Sequence, residues 1–294
     1  MVSESLASVP APLPLSIRAT AADTYRHLWR HRWVYLGHLF IWAIVAWIAE
    51  APTQLLQFLS GWAGLDWTVR GTGISDFAIY LTISILCLLA GGGLLFLSAG
   101  RAIMHGRAPR LGDAVRVHRM GTFWRHLGIY WLVVNLVPTV GVQGLRIYFG
   151  IEGIGNWWFN YYGLLGVYWA WAIAAAPAIV LALPIAAFEL SEQPIREGWR
   201  RLRGNRLRLA ALSALAALPP VAVELAYEYG SGPLIGMIYG SAMPGLLQYL
   251  LYLLLQAVLH NMMPFLLILV LAVTVICAYA RLSPRFDHVA RVFD

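Results

Sequence analysis

The sequence ELSEQPIREGWRRLRGNRLR, residues 189–208, carries six arginines and lies between two long apolar segments. Basic residues of this density concentrate in the cytoplasmic connections of proteins that cross a membrane several times. The stretch therefore indicates a polytopic membrane protein and the orientation of its spans. It does not indicate a reaction or a transported solute.

The composition of the 294-residue chain also indicates a membrane environment. Hydrophobic residues make up 60% of the chain and charged residues only 12%, about half the charged fraction of a soluble domain. Charged groups this sparse cannot cover a water-facing surface, so lipid is the expected solvent. The two cysteines, Cys87 and Cys277, lie in apolar runs, which excludes a disulfide framework and a cysteine-based metal site.

The N-terminal residues are small, polar and proline-rich, and they predict a disordered tail over residues 1–13. The first basic residues follow this tail and the first apolar run comes after them, so we expect an uncleaved first span rather than a signal peptide. Residues 14–285 are expected to form a single membrane domain, and residues 286–294 a cytoplasmic tail.

Six apolar segments are long enough to cross a bilayer as helices, which takes about 20 residues. They are Trp33–Ala49, Phe77–Gly100, Leu127–Leu145, Tyr161–Phe188, Leu209–Ala226 and Pro264–Ala280. Internal prolines such as Pro177 predict kinks rather than ends, because neighbouring helices satisfy the freed carbonyl groups.

The segment 244–260 is apolar enough for a seventh span. However, Gln248, Tyr252, Gln256 and His260 recur at intervals of four residues and form one polar stripe on a helix. The stripe predicts a helix that lies in the membrane interface or packs against the bundle.

The 21 basic residues are all arginines, and they divide unevenly between the two sides of the predicted bundle. Only Arg70 and Arg146 fall on the side opposite the N-terminus. The others lie in the N-terminal segment, in the connections after the second and fourth spans, and at the C-terminus. The positive-inside rule therefore places both termini in the cytoplasm.

A motif of an acid, a small residue, a bulkier residue and an arginine recurs in three cytoplasmic segments. The copies are Asp23–Arg26, Asp113–Arg116 and Glu197–Arg200, each preceded by a proline and followed by a span. Recurrence at a similar spacing predicts a threefold pseudo-repeat. Its units would be residues 14–108, 109–193 and 194–282. The alternative is that any six-span protein has basic cytoplasmic linkers.

Pro194 begins a segment that predicts a short, basic, amphipathic helix. Proline suits a first helical turn, and Glu197 falls near the positive end of the helix dipole. The predicted apolar face consists of Ile195, Trp199 and Leu202, and Gly204-Asn205 indicates the end of the helix. Such a helix is typical of one that lies on an anionic lipid surface, and the alternative is topology anchoring with solvated arginines.

The residues expected to contact anionic lipid or a partner at the cytoplasmic face are Arg26, Arg116, Trp199, Arg200 and Arg203. Polar residues in or beside the spans are candidates for an intramembrane site. They are His38, Asn135, Glu224, Glu228 and His260. The two glutamates share a helix face and could bind a cation or relay a proton, unless the span ends near Ala226 and both are solvated.

Two further polar groups have structural interpretations. Glu189, at the inner end of the fourth span, is expected to form an ion pair with the arginine cluster. His27 and His31 have the spacing of a metal-binding pair, but no third ligand is evident.

Signatures of common enzymes are absent from the sequence. We find no HExxH, GxSxG or GxxxxGK[ST] motif, and no GxGxxG between a strand and a helix. We therefore expect no catalytic residue, cofactor or metal. Gly91, Gly92 and Gly93 lie within a span and predict close helix packing. The arginine runs lie at span ends, which favours lipid over nucleic acid as their partner.

Three patches resemble six-span bacterial inner-membrane proteins: ALPIAAFE at 182–189, EGWRRLRGNRLRL at 197–209 and AGRAIMHGRAP at 99–109. This group includes the membrane domain fused to some glycerophosphodiester phosphodiesterases, and the architectural resemblance covers residues 15–282. It implies a multi-pass protein of the bacterial inner membrane. The sequence contains no hydrolase domain, so the resemblance implies no phosphodiesterase activity.

Together these observations predict an all-α bundle of six spans with short amphipathic interfacial helices. The leading functional hypothesis is a non-enzymatic membrane subunit or scaffold that contacts lipid and a partner membrane protein or a second copy of itself. The alternatives are a transporter or channel for a small or lipidic solute, and a membrane-embedded lipid enzyme.

Overall fold

The computed structural model of the protein describes residues 14–62, 73–115, 120–133, 180–189, 191–239 and 261–283. All regular elements in this part of the chain are helices, which confirms the predicted all-α class. They are α1 (Ile17–Arg30), α2 (Arg32–Trp62), α3 (Gly73–His105), α4 (Leu111–Val115), α5 (Met120–Trp131), α6 (Pro194–Arg201), α7 (Arg206–Tyr239) and α8 (Met262–Leu282). Residues 180–188 are helical as well.

Four helices contain segments that are long and apolar enough to cross a membrane. These are Arg32–Ala49 in α2, Ile85–His105 in α3, Arg206–Tyr227 in α7 and Met262–Leu282 in α8. They correspond to the predicted first, second, fifth and sixth spans. Most of the predicted third and fourth spans lies outside the described residues, as does the segment 244–260.

The chain divides into two compact units. Unit 1 comprises Met1–Ala22, His118–Ser213 and Val275–Asp294, and unit 2 comprises Asp23–Val117 and Ala214–Thr274.

The core of unit 1 gathers apolar side chains from the helical residues 180–188, α7 and α8. Its buried members are Leu15, Leu181, Ile185, Leu202, Leu209, Leu212, Ala278 and Tyr279. The amide of Leu15 donates a 2.8 Å hydrogen bond to the side-chain oxygen of Asn205. This bond fixes the residues before α1 on the turn that follows α6.

Unit 2 depends on a close approach of helices at Gly91 in α3. A Cβ atom on Gly91 would lie 2.6 Å from Cε1 of Phe265 and 2.8 Å from Cδ2 of Trp42. The rings of Trp42 and Phe265 are themselves neighbours, with centroids 6.2 Å apart. At Gly92 a Cβ would lie 3.0 Å from Cγ2 of Ile268. The predicted close packing is therefore confirmed for these two glycines.

Helix α6 begins and ends as the sequence predicts. Pro194 occupies its first turn, and the helix ends at Arg201 before a turn in which Gly204 adopts a positive φ of 81°. The buried residues of the helix are Pro194 and Gly198, whereas Trp199 is 47% exposed. Leu202, the third residue of the predicted apolar face, is fully buried directly after the helix, whereas Trp199 lies on the open side, where a lipid-contacting residue is expected.

Replacing Gly91 by alanine should lower the stability of the protein, because the new methyl group would overlap Trp42 and Phe265. Overpacking of this kind costs about 1–3 kcal/mol. Gly37→Ala is the matched control in α2, since a Cβ there would meet no atom within 4 Å. The thermal unfolding midpoint in detergent should fall for Gly91→Ala and stay level or rise for Gly37→Ala. Equal midpoints would contradict a packing role for Gly91.

Candidate functional site

A partly buried ion pair connects α6 to the end of the helical residues 180–188. Nη1 of Arg201 donates to one carboxylate oxygen of Glu189 at 2.6 Å, and Nη2 donates to the other at 2.7 Å. The hydroxyl of Tyr279 in α8 donates to the same carboxylate. The side chains of Arg201 and Glu189 are only 17% and 14% exposed. The predicted ion pair of Glu189 is therefore confirmed, and Arg201 is its partner.

Two of the three remaining N–H donors of Arg201 are also engaged. Its Nε donates to Glu197 at 2.8 Å, and Nη1 makes a longer contact of 3.3 Å with the hydroxyl of Ser283. Burial alone would lower the pKa of Arg201, but the carboxylates of Glu189 and Glu197 outweigh it and raise that pKa. Burial likewise opposes ionisation of Glu197, yet Arg201 and Arg200 hold the pKa of Glu197 below its ordinary value. Arg201 is thus permanently charged and satisfied by the protein itself.

Because Arg201 faces inward, the neighbouring basic and aromatic residues of unit 1 face outward. The side chain of Arg200 is 69% exposed and Arg203 is also exposed. Trp199 carries the guanidinium of Arg206 over its ring, with Cζ 3.4 Å from the ring centroid. A cation at this distance is attracted by the face of the indole ring.

A second arginine–tryptophan stack lies at the junction of α1 and α2 in unit 2. Cζ of Arg32 is 4.7 Å from the ring centroid of Trp29 and 5.6 Å from that of Trp33. Nη1 of Arg32 donates to the backbone oxygen of Trp29 at 3.0 Å. Both tryptophans are more than two-thirds exposed, at 71% and 73%. The stack therefore resembles that of unit 1 in its elements, an arginine guanidinium over an exposed tryptophan ring.

A group of histidines lies beside this junction. Nε2 of His27 is 2.8 Å from the hydroxyl of Tyr35, and its ring centroid is 4.8 Å from that of His31. Burial, followed by the charges of His31 and Arg30, lowers the pKa of His27 to about 4. His27 is therefore neutral at neutral pH. Within the described residues, no set of three side chains suits a metal ion.

The predicted lipid-contacting residues with described side chains are all at the surface. Arg26 is 75% exposed and pairs with Asp23 at 3.1 Å, and Trp199, Arg200 and Arg203 line the exposed side of α6 and its turn. Arg116 lies outside the described residues.

The predicted intramembrane polar residues do not form one described site. His38 is buried in α2, and its Nδ1 has no hydrogen-bond partner in the part of the chain that the structure describes. Glu224 is half-buried in α7, and no hydrogen bond joins it to His38. Glu228 also belongs to α7, and its side chain is outside the described part. Asn135 and His260 also lie outside the described residues.

Sequence reasoning missed the residues that make the site specific. Nothing in the sequence distinguishes Arg201 from the neighbouring arginines. Tyr279 could not be assigned to Glu189 because it lies 90 residues away in the sequence. Arg32 and Arg206 are the first residues of α2 and α7. Their nearness to tryptophans in the sequence was the available signal for the two stacks.

Comparisons with known proteins add no family to this geometry. Searches against protein-family models, curated proteins and solved structures find no match to the chain. The function is therefore inferred from the side chains described above.

Arg201→Ala should destabilise the protein by about 3–5 kcal/mol, because it leaves the carboxylate of Glu189 buried without its partner. Arg200→Ala is the matched control on the same helix turn. It removes an exposed pair worth about 0.3–0.5 kcal/mol. Denaturant unfolding in detergent should separate the two variants clearly. Similar losses for both would contradict a structural role for the Glu189–Arg201 pair.

Acidification should destabilise the protein through His27. The unfolded chain has the ordinary pKa of 6.5 and binds a proton that the folded protein, with a pKa of about 4, does not. The contribution of neutral His27 is therefore complete above pH 6.5 and is lost as the pH falls towards 4. His27→Gln should flatten the pH dependence of the unfolding midpoint in this window. An unchanged slope would show that His27 does not titrate as its surroundings indicate.

Proposed function

We propose that this protein is a non-enzymatic integral membrane subunit or scaffold that contacts anionic lipid and a partner membrane protein. The observation that carries the proposal is the pair of arginine–tryptophan stacks at the first residues of two candidate spans, Arg32 in α2 and Arg206 in α7. Tryptophan favours the headgroup level of a bilayer. An arginine near an anionic surface contributes about 1 kcal/mol of attraction.

The exposed apolar faces of two spans support contact with lipid or a second protein. Only 28% of the residues in each of the segments Arg32–Ala49 and Arg206–Tyr227 are buried. Their exposed side chains include Phe40, Ile41, Ile48, Leu215, Leu218 and Val223. Faces of this size need an apolar neighbour, which in a membrane is acyl chain or another helix.

Six spans, cytoplasmic termini and a bacterial inner membrane are part of the same proposal. Four described helices suit a membrane by length and composition, and the arginine asymmetry of the sequence favours an even number of spans. The segments 127–145 and 161–188 would supply the other two. The resemblance to the membrane domain fused to glycerophosphodiester phosphodiesterases belongs to this proposal as well, without the phosphodiesterase activity.

Several local features support the threefold repeat. In two copies of the motif the arginine pairs with the acid three residues earlier, Arg26 with Asp23 and Arg200 with Glu197. The small residue is buried in all three copies, as Thr24, Ala114 and Gly198. In the first and third repeats the first span is 28% buried and the second 61%. Equivalent segments therefore have equivalent surroundings.

Native mass spectrometry after mild extraction from the source membrane tests the proposed function. We expect a stoichiometric partner protein or a homo-oligomer that carries anionic lipid. The double variant Trp199→Ala, Arg200→Ala should retain less of both, because it removes a headgroup-level ring and an exposed charge. Glu192→Ala is the control at an exposed residue before α6. A bare monomer in the wild type, or equal retention by both variants, would contradict the proposal.

Transport is the second candidate function, and one observation favours it. Nδ1 of His38 and the hydroxyl of Ser98 are buried in candidate spans without a hydrogen-bond partner among the described residues. Unsatisfied polar groups inside a membrane mark candidate solute or proton paths. Proton or solute flux through proteoliposomes that His38→Leu abolishes would establish this function, and absence of flux would exclude it.

A further inference from the structure

The guanidinium of Arg206 lies over an indole ring and has no hydrogen-bond acceptor in the described part of the chain. It stacks on Trp199 at 3.4 Å, and no hydrogen-bond acceptor engages its side chain among the described residues. The carboxylates of Glu189 and Glu197 pair with Arg201 and Arg200. Among the described residues the charge of Arg206 is therefore not paired with a carboxylate, and the indole ring limits its orientation.

This arrangement fits a phosphate group. Stacking uses the face of the guanidinium and leaves its edge N–H groups open, and those groups match two phosphate oxygens at once. Restricting the side chain beforehand also lowers the entropy lost on binding. Exposed Arg203 and Arg200 lie in the same turn region and add to the positive potential.

Arg32 repeats the arrangement in unit 2. It stacks on Trp29 and Trp33 and uses one donor for the backbone oxygen of Trp29, and no other described acceptor engages its remaining N–H groups. Arg32 follows Arg26 at the same separation as Arg206 follows Arg200. Arg32 and Arg206 therefore hold the same position in the first and third predicted repeats.

We propose that Arg206 on Trp199 and Arg32 on Trp29 are two equivalent binding sites for the phosphate of an anionic membrane phospholipid. The inference rests on the proposed membrane function and names its lipid sites. The occupant is a lipid rather than a soluble anion because apolar side chains stand exposed next to each arginine. Leu207 is 79% exposed and Trp33 is 73% exposed, and acyl chains would cover both.

The experiment is native mass spectrometry of the purified full chain in detergent with phosphatidylglycerol added, and phosphatidylcholine as the zwitterionic comparison. Arg206→Ala and Arg32→Ala should each weaken phosphatidylglycerol binding by about fivefold, and the double variant should do so more strongly. Phosphatidylcholine binding should not change. Arg208→Ala is the matched control, because Arg208 is exposed on α7 and has no ring stack.

Lysine variants separate an organised site from diffuse charge. Arg206→Lys keeps the charge but loses the planar fork and its stacking, so it should bind phosphatidylglycerol as weakly as Arg206→Ala. The two sites would be overturned if Arg206→Lys bound phosphatidylglycerol at the wild-type level. They would also be overturned if Arg208→Ala lost as much phosphatidylglycerol binding as Arg206→Ala. If the variants unfold at the same midpoint as the wild type, their loss of lipid binding is not caused by a loss of folding.

Two further results distinguish a lipid phosphate from free phosphate, and failure of these sites from failure of the scaffold function. Inorganic phosphate in excess should not displace phosphatidylglycerol, and full displacement would indicate a site for a soluble anion and overturn the lipid assignment. If the arginine variants bind lipid normally while the wild type still holds its partner protein, these sites are wrong and the scaffold function stands. If no form of the protein holds a partner protein but the arginine variants still lose phosphatidylglycerol, the two lipid sites are supported and the scaffold function is contradicted.

Discussion

The bidentate ion pair between Glu189 and Arg201 is the interaction on which the described architecture of unit 1 depends. It joins the end of the helical residues 180–188 to α6, and Tyr279 extends it to α8. A pair this shielded is costly to desolvate, and it persists because nearly every donor and acceptor has a partner. Turning one arginine inward fixes the rotation of α6 about its axis. That rotation leaves Trp199, Arg200 and Arg203 on the open side.

Two arginines within residues 189–208 have different roles. Arg201 is neutralised by carboxylates within the protein, whereas Arg206 rests on the exposed indole ring of Trp199. The first arginine holds the helix in place, and the second presents charge at the start of a candidate span. Arg32 presents charge in the same way at the start of α2. A membrane protein can thus build a basic surface on a framework that needs no external counter-ion.

The sequence predicted those features that depend on local pattern. Helical class, the start of α6 at Pro194, its end before Gly204 and the close packing at Gly91 all follow from propensity and hydropathy. The inward orientation of Arg201 did not follow, because Glu189 lies 12 residues before Arg201 and Tyr279 lies 90 residues after Glu189. Helical spacing alone does not distinguish Arg201 from the other arginines of its stretch. Tertiary hydrogen bonds to Glu189 distinguish it in the fold.

Cysteine labelling at Gly153 most directly tests the six-span, positive-inside account. With Cys87 and Cys277 replaced, a cysteine at Gly153 should react with a membrane-impermeant maleimide in intact cells, because it would lie between the third and fourth spans outside the cytoplasm. A cysteine at Glu192 should react only after the membrane is opened. If the Gly153 cysteine is also protected in intact cells, the chain has only the four spans of α2, α3, α7 and α8, and the repeat fails with it.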